Sequence, residues 1–76
     1  MDEMKYALLE EVLGRWKADV IENFLNSEGI DVVLIEGTVS DLFTPSFAPV
    51  KIYVPKEDLN RSRELLKEYN ESQNDA

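Results

Sequence analysis

The sequence predicts a small α+β domain, and three observations predict it. From Trp16 to Glu28 the apolar residues Trp16, Val20, Ile21, Phe24 and Leu25 recur at helical spacing, with Lys17, Asp19, Glu22 and Asn23 largely on the other side. A β-branched run, Ile30 to Glu36, follows and ends at Gly37. Val50-Lys51-Ile52-Tyr53-Val54 then alternates as a strand with one buried face, and Pro55 stops it ahead of a second helical stripe.

The elements follow in order. The first helix lacks a good N-terminal cap, because Gly14-Arg15 offers no side-chain acceptor. Its end is better marked. Gly29 followed by Ile30 is the pattern of a left-handed cap whose next apolar side chain folds back on the last turn. In the Ile30–Glu36 strand both faces are apolar, with Ile30, Val32 and Leu34 on one and Val33 and Ile35 on the other. Val50, Ile52 and Val54 face a core, while Lys51 and Tyr53 face away. The helix from Lys56 to about Tyr69 has Glu57 and Asp58 in its first turn, where the helix dipole favours them, and Leu59, Ser62, Leu65, Leu66 and Tyr69 inward. Glu57 and Arg61, four apart, form a favourable pair on it. Residues 1–69 thus read as one domain and residues 70–76 as a disordered acidic and polar tail. Met4, Leu8, Val12 and Trp16 continue the helical spacing backwards, so periodicity alone favours one long helix over residues 1–28. The alternative is a strand over Tyr6–Val12 and a turn at Leu13-Gly14-Arg15.

Composition narrows the function. The 76 residues carry a net charge of −8 with neither cysteine nor histidine. That removes disulfides, ordinary zinc, haem and iron–sulfur sites, and Ser-His-Asp or Cys-His catalysis. So short a chain has a marginal core, which leaves oligomerisation or a very economical monomer. A sequence pI near 4.3 argues against nucleic acid and anionic membrane surfaces as partners. The N-terminus lacks a signal-peptide pattern and the longest aliphatic run is Val32–Ile35, so the expected location is cytoplasmic.

A resemblance adds to this reading. Lys17-Ala18-Asp19-Val20-Ile21-Glu22-Asn23-Phe24-Leu25-Asn26-Ser27-Glu28-Gly29-Ile30 resembles the helix of a small bacterial family of prokaryotic signal-transducing proteins, a domain of unknown function. Val50 to Leu59, followed by Arg63-Glu64-Leu65-Leu66, is similar to that family's ending, so the match spans roughly residues 6–68. The resemblance implies a ferredoxin-like or PII-like β-α-β-β-α core with a first strand at Tyr6–Val12, a three-stranded antiparallel sheet and both helices on one face. This chain departs from the family in three places. Phe and Pro stand in the middle loop where relatives are Gly-rich, Ser62 stands where a helix-packing Ala is common, and Gly14-Arg15 replaces Asp, Asn or Thr near the first helix start.

In that architecture right-handed connections set the strand order second-third-first, and no sequence remains for a fourth strand beside the first. The open edge and an apolar sheet back bearing Val33, Ile35 and Tyr53 form an association site. The Thr38–Pro49 connection holds Leu42 and Phe43 before Pro45 and Phe47 between Pro45 and Pro49, and either folds over that back or takes part in binding. Trp16, on the apolar stripe, reads as core; exposed beside Tyr6 it would instead anchor a partner. Glu10-Glu11 reads as charge protecting an edge strand, and Asp31, Glu36 and Asp41 as a weak candidate cation cluster. The expected function is a non-catalytic regulatory or protein-interaction module without a cofactor, whose partner is a protein, first of all itself as a dimer. A PII-like sensor of a nucleotide or anionic metabolite is the alternative.

Overall fold

The chain forms β1 (Tyr6–Leu13), α1 (Arg15–Ser27), β2 (Val33–Glu36), β3 (Pro49–Pro55), one 3₁₀ turn (Lys56–Asp58) and α2 (Leu59–Asn74). The computed structural model describes residues 5–36 and 48–74, with side chains through residue 71. The sheet order is β1-β3-β2 and both pairings are antiparallel. β1 and β2 are therefore parallel to each other with β3 between them, a split β-α-β unit closed by α1. The arrangement is consistent with a ferredoxin-like fold.

The start of the chain is a strand because its apolar residues find a sheet partner. Residues 6–13 pair along β3 from Tyr6 opposite Pro55 to Leu13 opposite Pro49, and Gly14 N–H extends the contact by donating to Ala48 O at 3.0 Å. Gly14 then turns the chain at φ 101°, a backbone angle that other residues rarely adopt, and caps α1 without any side-chain bond. Continuous helix is thereby broken at Gly14.

The far end of α1 closes as its sequence predicts. Gly29 adopts φ 81°, Gly29 N–H donates to Asn26 O, and Ile30 N–H donates to Leu25 O, each at 3.0 Å. This is the double-bonded glycine cap, and both Ile30 and Leu25 are buried beside it. β2 begins only at Val33, three residues later than the β-branched run suggests. The position on β3 that would face Asp31 is Pro55, which has no N–H to give to a ladder. Ile30 and Val32 are buried all the same.

The core lies between the sheet and the two helices. Val50, Ile52 and Val54 meet Ala18, Ile21 and Leu25 from α1 and Leu66 from α2, with Leu9, Val12, Phe24, Leu34, Leu59 and Leu65 around them. The buried arc of α1 is centred on Ala18, Ile21 and Leu25. At about 100° per residue, Trp16 lies roughly 170° from that centre. Trp16 is 66% exposed, so its assignment to the core is corrected. The small Ala18 lets the helix sit close to the sheet and sets the rotation.

Two further expectations change. α2 stays helical to Asn74 instead of stopping near Tyr69, and it holds no Pro or Gly to end it. Arg61 meets Glu28 at 3.8 Å, tying α2 to the end of α1, where the sequence suggested Glu57. Leu42, Phe43 and Phe47 lie outside the described residues.

Candidate interaction site

One irregularity in β1 decides what each side of the sheet presents. The register shifts between Leu8 and Glu10, so that Leu8 faces Tyr53, Glu10 faces Ile52, and Leu9 is the extra residue of a bulge. Before the bulge Ala7 shares the helix side with Val54; after it Val12 shares that side with Val50. Leu9 packs against the core and Glu10 lies beside it on the same side. Tyr6, Leu8, Glu11 and Leu13 are left on the back.

The sheet back therefore carries Leu8, Tyr53 and Val33 in one row across the three strands, with Ile35 next to Lys51. Both helices lie on the other side. Leu8 is 44% exposed and Leu13 60%, while Val33, Ile35 and Tyr53 are half-buried. Glu11 stands directly opposite Lys51, so the charges of these strand residues cancel on this face. In a molecule of net charge −8 that is a distinctive surface. β1 pairs on one side only among the described residues.

At one end of this back the Tyr6 hydroxyl reaches across Pro55 and donates to Asp31 Oδ2 at 2.7 Å. The bond to Asp31 holds the Tyr6 phenol above its ordinary pKa, with burial and the negative charge of Asp31 acting in the same direction. At the other end Arg15 Nη1 donates to Glu36 Oε1 at 2.7 Å and Nε to Asp19 Oδ1 at 3.0 Å. These bonds, first to Glu36 and then to Asp19, raise the guanidinium pKa further and tie the start of α1 to the end of β2. Asp31 and Glu36 thus sit at opposite ends of β2 with separate partners. They do not gather into a cation site with each other, and Asp41 lies outside the described residues.

On the helix side a groove of about 240 Å³ runs between β1, α1 and the later turns of α2. Trp16, Val20, Val12, Tyr69 and Glu10 line it, and Tyr69 is held by stacking on Phe24 with ring centroids 5.0 Å apart. Lys17 Nζ lies 5.8 Å from the centroid of the Trp16 ring.

The fold brings Val33 and Tyr53 together as the sequence suggests. It separates Tyr6 from Trp16, which stand at opposite ends of β1. Leu8, Leu13, Val20, Tyr69 and Glu10 also form these surfaces, and sequence spacing does not mark them. Finding them needed the bulge and the rotation of α1, and no local motif marks either. Among the described residues no helix is long and apolar enough to cross a membrane. Comparison of the chain with protein-family models, curated proteins and solved structures returns no match.

Proposed function

We propose that this domain is a non-catalytic protein-interaction module of the signal-transducing kind, and that it associates with a second copy of itself through the back of its sheet. The observation that carries the reading is the row Leu8, Tyr53 and Val33 on a face that neither helix covers, with Glu11 offset by Lys51. Two such sheets can pack face to face, roughly 10 Å apart, without facing acidic charge against acidic charge. A two-fold axis would set the same row against itself, which is the usual geometry of a small homodimer. Burial of that row also supplies the apolar contact that so short a chain lacks within its own core.

The free edge of β1 is the poorer surface for self-pairing. Its bulge interrupts the ladder, and antiparallel pairing of two β1 edges near their middle gathers the Glu10 and Glu11 of both copies. In this reading the domain works in the bacterial cytoplasm, which the family resemblance supports. Sedimentation equilibrium tests it. At about 100 μM the expected mass is twice the 8.7 kDa of the chain. Tyr53→Glu and Leu8→Glu should each return the mass to one chain. If either variant keeps the wild-type mass while its far-ultraviolet spectrum stays native, the sheet back is not the interface.

A further inference from the structure

We propose that the groove between β1, α1 and α2 binds a segment of another protein by taking up a single lysine or arginine side chain with apolar neighbours. The site lies on the helix side of the sheet and does not depend on the self-association described above.

The lining has the chemistry for a cation. Trp16 is 66% exposed and Val20 41%. Tyr69 lines the same groove and is fixed by its contact with Phe24. An ammonium or guanidinium group is drawn to such ring faces, most strongly to indole. Glu10 lies in the same lining, on the face it shares with Val12, and makes no ion pair or side-chain hydrogen bond with the described residues. A carboxylate beside two aromatic side chains supplies both halves of a cation site, the charge and the polarisable face. The attraction is already visible within the chain, because Lys17 holds its ammonium 5.8 Å from the Trp16 centroid. In the free protein Lys17 occupies the position that a partner's cation competes for.

Size and charge select the occupant. At about 240 Å³ the groove is smaller than the roughly 300–1,000 Å³ usual for small-molecule sites. It suits one long side chain whose neighbours rest on Val12 and Val20. A second copy is a poor occupant, because each chain carries a net charge of −8 and would add acidic charge beside Glu10 and Glu11. A cationic, apolar segment gains from the same charge.

The experiment uses a short fluorescein-labelled peptide with one arginine between leucines on a Gly-Ser frame, and a twin with glutamate in place of the arginine. Fluorescence anisotropy gives the affinity, and emission from Trp16, the only tryptophan, reports on the groove. The arginine peptide should bind and move Trp16 emission to the blue; the glutamate twin should do neither. Trp16→Ala should weaken binding by about tenfold or more, with Trp16→Phe between it and wild type. Glu10→Gln should weaken it by roughly fivefold, and Lys17→Met should strengthen it a few-fold.

Equal binding of both peptides overturns the proposal. So does unchanged affinity in folded Trp16→Ala and Glu10→Gln, or weaker binding in Lys17→Met. If butylammonium alone binds as tightly as the peptide, the site is for a free amine and the protein partner is wrong. A wild type that sediments as one chain and still binds the arginine peptide supports this proposal while removing the self-association.

Discussion

Replacing Ser62 with alanine should make this protein more stable. Ser62 lies on the inner face of α2 with no exposed surface, and its hydroxyl has no hydrogen-bond partner among the described residues. A buried polar group without a partner costs about 1–3 kcal/mol. Alanine also has the higher helix propensity, by roughly half a kcal/mol in a helix interior. Against this stands the small void left by one oxygen, worth roughly a few tenths of a kcal/mol. The sum is a gain of about 1–3 kcal/mol. For a domain of this size each kcal/mol moves the melting temperature by about 4–8 °C, so the rise should be readily seen. Urea titration followed by circular dichroism is the assay, and the midpoint should move up at constant slope. An unchanged or lower midpoint would refute the reasoning. It would mean that the hydroxyl is satisfied in solution, most simply by the carbonyl one helical turn back at Asp58.

Other changes test the remaining parts of the fold. A methyl group at Gly29 would meet no atom within 4 Å, so Gly29→Ala should cost only the left-handed backbone, about 1–2 kcal/mol in the same urea assay. Gly29→Asn should cost less. Arg15→Ala removes two ion pairs whose side chains are about half exposed, so the urea midpoint should fall only slightly and the difference should shrink in high salt. The Tyr6 phenol has a raised pKa in the folded state, so the stability it contributes is complete below its ordinary value near 10. That contribution should fade as pH climbs through the raised one. In an ultraviolet titration Asp31→Ala should bring the Tyr6 transition down.

Much of this architecture is legible in the residues, and the exceptions have physical causes. The Gly29-Ile30 cap is a local event, so the pattern and the bonds agree. Alternation in Val50–Val54 holds because β3 is central and has one face fully buried. β1 is different. Its residues fit a helix by spacing alone, and only pairing with β3, some forty residues away in sequence, makes it a strand. The bulge at Leu9 adds a second long-range effect. Without it Leu8 would share a face with Glu10 and Val12; with it Leu8 joins Tyr53 on the back while Glu10 stays on the helix side. Trp16 misleads for a related reason. Its spacing from Val20 and Phe24 marks an apolar stripe, but a helix settles on a sheet through its smallest residue, and Ala18 turns Trp16 outward. The full length of α2 is not legible because polar residues 70–74 carry no apolar signal, although nothing in them breaks a helix.

The most direct test of the central claim is the mass of the protein in solution, measured by sedimentation equilibrium across a concentration series with Tyr53→Glu beside the wild type. Self-association through the sheet back predicts a two-chain mass at high concentration that Tyr53→Glu reduces to one. A one-chain wild-type mass at every concentration, or a two-chain mass that survives in natively folded Tyr53→Glu, contradicts it.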